Sequence, residues 1–311
     1  MKDKEFLVAI LMGTYNGEKF LEEQLDSLEA QEYSNWILYV SDDGSTDGTL
    51  DILKRYQKKW GDNKLKIMNG PKAGFCRNFL SLTKNEDIKA DYFAWSDQDD
   101  IWLPEKLSHA LELLAPFGQK TPVLYCTRTT LVNENDIVFG ESPLMAVQPP
   151  SFSNALVQSL AGANTMVFNI PSRELIGLGY PFNPISHDWW AYQIICGTGG
   201  QVIYDFKSTL HYRQHGQNII GSNSGIFALL QRIKKAFHGR YTEMNNQNLK
   251  GLSQLSDKLT NKNYHILNMF SKVRTELSLF QRIKIIKIYN FYRRSIFQQI
   301  SMFVGFILKK I

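Results

Sequence analysis

Between residue 6 and about residue 127, short runs rich in β-branched and aromatic residues alternate with segments of helical spacing. This rhythm narrows the possible folds more than any other feature of the sequence. Residues 8–12, 37–40, 65–68 and 92–95 read as strands, each ending in a cluster of Gly, Asn, Asp or Ser. Residues 18–30, 48–60, 77–84 and 104–114 read as the helices between them. Strand and helix in alternation predict an α/β domain with a mostly parallel sheet. Farther on, residues 123–126, 165–168 and 201–204 add strands and a helix begins near Asp188, all within the same α/β unit. In an open parallel sheet, ligands bind beyond the carboxyl ends of the strands. Those places are held by Thr14-Tyr15-Asn16, by Asp42-Asp43-Gly44-Ser45 and by Asp97-Gln98-Asp99-Asp100.

Charge divides the chain. Lys and Arg outnumber Asp and Glu by 35 to 30, yet residues 226–311 hold sixteen bases against Glu243, Asp257 and Glu276. That segment carries +13 (16 − 3), which leaves −8 (19 − 27) on residues 1–225. Within it, Arg282, Lys284, Lys287, Arg293, Arg294, Lys309 and Lys310 are interleaved with Ile283, Ile286, Ile288, Phe291, Ile296, Ile300, Phe303 and Phe306. Apolar bulk mixed with cations is the pattern of a helix lying in the interface of an anionic membrane. Residues 226–237 repeat the pattern over a shorter length; the alternative is that these helices pack on the main domain with a solvated basic face. A boundary is expected in the Gly-, Ser- and Asn-rich residues 217–225, dividing the chain into an α/β domain over 1–224 and a helical region over 225–311.

No stretch approaches the ~20 apolar residues of a spanning helix, and the first residues read as the approach to a strand rather than as a signal peptide. Three cysteines in no CxxC spacing suggest neither a disulfide framework nor a thiolate zinc site. The basic tail brings no recognised nucleic-acid motif with it, so nucleic acid is not an expected partner. A dinucleotide-dependent oxidoreductase is disfavoured because no GxGxxG follows the first strand.

Asp97 and Asp99 stand at i and i+2 just past a strand, so both carboxylates project to one side if the strand persists. Paired carboxylates suit Mg²⁺ or Mn²⁺, which complete their shells with water and phosphate oxygens. The run from Asp42 to Asp47 follows a strand and precedes a helix, where its Asp and Ser side chains can meet a base and ribose or cap the helix.

Six segments carry a resemblance in order: Thr14-Tyr15-Asn16, Asp42-Asp43-Gly44-Ser45-Thr46-Asp47, Gly74-Phe75-Cys76-Arg77-Asn78-Phe79, Ser96-Asp97-Gln98-Asp99-Asp100-Ile101-Trp102, His187-Asp188-Trp189-Trp190 and Tyr212-Arg213-Gln214-His215-Gly216-Gln217-Asn218. Together, over residues 6–222, they resemble the glycosyltransferase family 2 enzymes of the GT-A fold. The resemblance implies a nucleotide-sugar site bound by Thr14, Tyr15, Asn16, Asp42, Asp43, Arg77 and Asp97, with Tyr15 and Asn16 near the base, Asp43 at the pyrimidine edge, and Arg77 and Asp97 at the diphosphate. It implies that Asp97, Asp99 and His215 surround a Mg²⁺ or Mn²⁺ ion. Asp188 falls at the family's catalytic-base position, with His187 where an acidic residue is more usual. Trp189 and Trp190 are candidates for the acceptor cleft, and Gly162-Ala163-Asn164 falls at the acceptor loop.

The same combination is most similar to bacterial rhamnosyltransferases of cell-wall and O-antigen synthesis. That implies dTDP-β-L-rhamnose as donor, inversion at the anomeric carbon and a lipid-linked saccharide acceptor; UDP-galactose or UDP-glucose is the alternative donor. A cytoplasmic protein, peripheral on an anionic membrane surface at the inner face of the plasma membrane, is the expected setting. A catalytically silent scaffold is disfavoured because Asp97, Asp99 and Asp188 are all present.

Overall fold

The computed structural model describes residues 5–144, 148–215 and 240–309. Its centre is a seven-stranded sheet of β1 (Val8–Thr14), β2 (Trp36–Asp42), β3 (Leu65–Asn69), β4 (Tyr92–Ser96), β6 (Val123–Thr127), β9 (Val167–Asn169) and β10 (Gln201–Asp205). The order is β10-β6-β9-β4-β1-β2-β3, and every pairing is parallel except those of β9 with β4 and β6. The sequence anticipates the parallel strands but carries no sign that β9 runs the other way. A second sheet, β5 (Ile101–Trp102), β11 (Leu210–Arg213), β7 (Thr130–Val132) and β8 (Val138–Glu141), is too short in its parts to have been read as strands.

The main sheet is covered on both faces, and its strands show why. In β1, Val8, Ile10 and Met12 enter one apolar cluster while Ala9 and Leu11 enter the other; in β4, Tyr92 and Ala94 oppose Phe93 and Trp95. Successive side chains of a strand point to opposite faces, so an unbroken apolar run needs two cores. Helices α1 (Leu21–Glu29), α2 (Thr49–Trp60) and α4 (Lys106–Leu114) supply Leu25, Leu53 and Leu107 to one; α3 (Phe75–Lys84), α6 (Ile170–Gly177) and α7 (His187–Gly197) supply Phe79, Ile176 and Trp190 to the other. A single turn, α5 (Phe152–Ala155), completes the α/β part.

Among the described residues, four helices follow: α8 (Arg240–Gln254), α9 (Asn261–Thr275), α10 (Leu279–Ile288) and α11 (Ile296–Ile307). Leu252, Phe270, Ile286, Phe291, Met302 and Phe306 join the same cluster as Trp95 and Trp190, so these helices share a core with the sheet. Several tail cations serve this packing. Arg282 is buried and donates to the carbonyls of Phe306 and Ile307 at 3.1 and 2.9 Å, capping the end of α11. Arg293 donates to Val157 O, and Arg294 to Pro143 O and Leu160 O. The expected boundary near 217–225 and the basic stretch 226–237 lie outside the described residues. Among the described residues, no helix is long and apolar enough to cross a membrane.

Candidate active site

The site forms where the chain leaves β4. The strand ends at Ser96, short of the aspartates, so a turn rather than a continuing pleat brings their carboxylates together. One ligand oxygen each from Asp97, Asp99 and Asp100 lies within 4.8 Å of the others. Gln98 fixes the turn by accepting from Tyr15 N at 2.9 Å and donating to Tyr15 O at 3.0 Å. A Cβ at Gly17 would fall 2.3 Å from Gln98 Oε1, so a larger residue there would displace the Gln98 amide from Tyr15. Ser96 Oγ donates to Asp97 O, and Arg213 Nε donates to Asp99 O at 3.1 Å.

Burial pushes Asp97 up to about 8, with the charges of Asp99 and Asp188 adding to the shift. Burial, Asp99 and Asp97 likewise hold Asp100 well above the usual carboxylate range. Asp100 Oδ2 accepts from Asn164 Nδ2 at 2.6 Å, while Oδ1 is buried without a hydrogen-bond partner. Behind them the fully buried Lys106 donates to Asn164 O at 3.0 Å, its pKa lowered to about 7 by burial against the opposing pull of Asp100. Crowded, desolvated oxygen ligands with one buried oxygen unsatisfied fit a hard divalent cation such as Mg²⁺ or Mn²⁺. Asp100 and Gln98 were not singled out from the sequence. Asn164, expected at an acceptor loop, turns inward onto Asp100 and is 3% exposed.

β11 closes the other side. It pairs antiparallel with β5, matching Leu210 with Trp102, and this brings Arg213 and His215 over the acid turn. Arg213 is fully buried over the Phe20 ring and forms ion pairs with Glu23 and Asp136. His215 Nε2 lies 2.8 Å from Asp99 Oδ2, its ring 4.9 Å from that of Phe20. Residues 216–218 of the segment lie outside the described residues.

Asp188 enters from α7. It stands in the first turn, where unsatisfied backbone amides favour a carboxylate, and accepts from Trp189 N at 2.7 Å. Burial raises its pKa, opposed by hydrogen bonds from Ser186 and Trp189. Its charge reaches Asp97 and Cys76, which sets it beside both the acid turn and α3. The neighbouring His187 is buried with its ring stacked on Phe79 at 4.2 Å and 9°, and edge-on to Trp95 at 4.7 Å. Neither ring nitrogen has a partner, and burial lowers its pKa to about 3. Trp189 and Trp190 are both core residues, donating to Ala155 O and Ile176 O.

The ends of β1 and β2 form the facing wall. Thr14 Oγ1 donates to Asp42 Oδ2 at 3.0 Å, and Asp42 also accepts from the amides of Gly44 and Ser45, so this buried carboxylate orders its own turn. Asp43 accepts from Lys72 N at 2.6 Å and Gly74 N at 2.8 Å. Asn16, at φ 47°, joins the two loops through Ser45 Oγ and Thr46 N. Tyr15 is 59% exposed. Arg77, in the first turn of α3, lies over the Tyr180 ring at 5.0 Å. Beneath, Asn78 and Ser41 exchange hydrogen bonds of 2.6 and 2.7 Å that tie α3 to β2.

Residues 9–136 match the model of a family described as glycosyl transferase family 2. The chain is 28% identical over 243 residues to RfbG, a dTDP-rhamnosyl transferase of Shigella flexneri, covering 71% of this chain and 78% of that protein. Its fold is similar to S. aureus TarS 1-349, solved with UDP-GlcNAc, at a TM-score of 0.55 and 16% identity over 91% of this chain and 80% of that one. It is also similar to the Pyrobaculum calidifontis mannosyltransferase PcManGT, solved with GDP-Man and Mn²⁺, at a TM-score of 0.53 and 15% identity over 99% and 86%. Residues 9–136 thus carry a glycosyl transferase family 2 domain match, and the mixed α/β architecture around them is that of the GT-A glycosyltransferases.

Proposed function

We propose that this protein is an inverting glycosyltransferase that moves L-rhamnose from dTDP-β-L-rhamnose to a hydroxyl of a lipid-linked saccharide in cell-wall or surface polysaccharide synthesis. The observation that carries the donor is the 28% identity to a dTDP-rhamnosyl transferase along most of both chains. The nucleotide-sugar class is further supported by GT-A neighbours solved with UDP-GlcNAc and GDP-Man.

In this reading, Thr14, Tyr15, Asn16, Asp42 and Asp43 form the nucleoside wall. Asp43 is held rigid by two backbone amides and keeps lone pairs for the pyrimidine edge; Asp42 and Asn16 fix the loops around it. Arg77 and Asp97 border the diphosphate. Asp97, Asp99 and His215 would hold the divalent ion, which would supply positive charge to stabilise the diphosphate leaving group. Asp188 accepts the proton of the acceptor hydroxyl as that oxygen attacks the anomeric carbon. Its raised pKa suits the task, because a carboxylate held above its ordinary value by burial is a stronger base than an exposed one. One displacement inverts the anomeric configuration. Residues 1–224 form the catalytic domain, and residues 225–311 hold it on an anionic membrane surface at the cytoplasmic side.

Calorimetric titration with dTDP-rhamnose, UDP-galactose and UDP-glucose, in Mn²⁺ and then in EDTA, tests the reading. Metal-dependent preference for dTDP-rhamnose is expected. Preference for a UDP-sugar overturns the donor, and binding of none overturns the function.

A further inference from the structure

The tail cations do not all face outward, and sorting them by partner isolates one surface. Arg282, Arg293 and Arg294 donate to backbone carbonyls of the fold. Lys284 and Lys287 remain exposed on α10, on the side opposite the buried Arg282 and Ile286. The same side carries Phe280, 87% exposed, and Ile288. On α11, Met302 and Phe306 enter the core, while Ile296, Ile300, Val304 and Ile307 recur every three or four residues along the exposed side. Ile296 is 72% exposed. A soluble surface helix presents polar residues there; this one presents an apolar stripe.

We propose that this outward side of α10 and α11 is the docking surface for an anionic lipid bilayer, with Phe280, Ile288, Ile296, Ile300, Val304 and Ile307 entering the acyl boundary and Lys284 and Lys287 meeting headgroup phosphates. The inference deepens the proposed function, on which it rests for the lipid nature of the acceptor. Charge selects this occupant. No Asp or Glu occurs in residues 277–311, whereas residues 1–225 carry −8 and are repelled by an anionic surface. Charge therefore favours approach to such a bilayer by this side. A second copy is a poorer occupant, because a two-fold contact sets the same patch and its lysines against themselves.

The placement also links membrane to chemistry. Arg293 and Arg294, just before α11, hold the carbonyls of Val157 and Leu160, and Gln298 accepts from Gln158 Nε2 at 3.3 Å. That strand of chain runs straight into Gly162-Ala163-Asn164, whose Asn164 contacts Asp100 of the acid turn. The docking helix and the catalytic turn are thus joined through fewer than ten residues of chain, residues 157–164.

Co-sedimentation of the full chain with vesicles of phosphatidylcholine alone, or containing phosphatidylglycerol, tests the surface. Binding is expected only with phosphatidylglycerol, weakened about tenfold or more by Ile300→Asp with Val304→Asp and by Lys284→Glu with Lys287→Glu. Both variants alter exposed side chains, and circular dichroism with thermal melting verifies folding. Equal vesicle binding by wild type and either folded variant overturns the proposal. So does loss of a wild-type dimer on Ile300→Asp with no vesicle binding by the wild type, which assigns the face to a second copy. Donor titration is read separately: vesicle binding that follows the variants while no nucleotide-sugar binds would leave this surface standing and remove the proposed function.

Discussion

His215 sets its Nε2 2.8 Å from Asp99 Oδ2, although 116 residues separate the two in the chain. The contact would either orient the carboxylate or place the imidazole as a further ligand, and either role would act on the proposed ion. His215→Ala is expected to weaken Mn²⁺ binding by about 10- to 100-fold. Titration with MnCl₂ alone measures this, and unchanged affinity would remove His215 from the metal assignment.

The charges of Asp188 and Asp99 both act on Asp97, but the two residues have different proposed tasks. Asp188→Asn is expected to abolish transfer while donor affinity stays within a few-fold. Asp99→Ala is expected to lose metal-dependent donor binding as well. Single-turnover transfer and donor titration on both variants decide; equal loss of donor affinity in the two contradicts the division of roles.

Asn164 is the hydrogen-bond donor to a desolvated carboxylate, so its side chain is expected to matter for stability as well as position. Asn164→Ala leaves Asp100 Oδ2 without that donor and should cost about 1–3 kcal/mol in urea unfolding. A loss confined to acceptor affinity, with stability unchanged, would instead return Asn164 to the acceptor loop.

His187 makes a prediction about acid. Burial depresses its folded pKa to about 3, while an unfolded histidine titrates near 6.5. Below about pH 6.5 the unfolded chain takes up a proton that the folded chain refuses. Stability is therefore fully present above that pH and falls as pH drops toward 3. The loss is about 2 kcal/mol between pH 6.5 and 5, from about 1.4 kcal/mol per unit. His187→Phe keeps a ring against Phe79 and should reduce the fall in melting temperature over this range. An unaltered pH dependence would mean that the imidazole is not desolvated as described.

The parallel strands were legible because each is an apolar run ending in turn residues, and burial on both faces demands that pattern. The antiparallel β9 was not, because three residues, Val167–Asn169, carry no directional signal. The aspartates of the acid turn were legible as a motif. Gln98 was hidden in its own motif, because its role is to hold the backbone of Tyr15, and a glutamine in a loop does not announce that partner. Asn164 was legible only as part of a segment; its hydrogen bond to Asp100 is set by packing that the sequence does not display. The tail shows the same limit. Its composition is basic and apolar throughout, yet Arg282 and Phe306 face the core while Lys284 and Ile300 face out. The helical phase had to be fixed by structure before the two populations could be told apart.

Arg213 gives the site an order of assembly. Its guanidinium joins Glu23, Asp136 and the Asp99 carbonyl, residues contributed by three earlier parts of the chain. A ribosome delivers it last. Until then Glu23 and Asp136 lack the buried cation they share. The first strands can pair while residue 213 is still unmade, but Glu23, Asp136 and the Asp99 carbonyl gain their common partner only when β11 docks against β5. Chains interrupted before that point are expected to contain much of the sheet and none of the closed site.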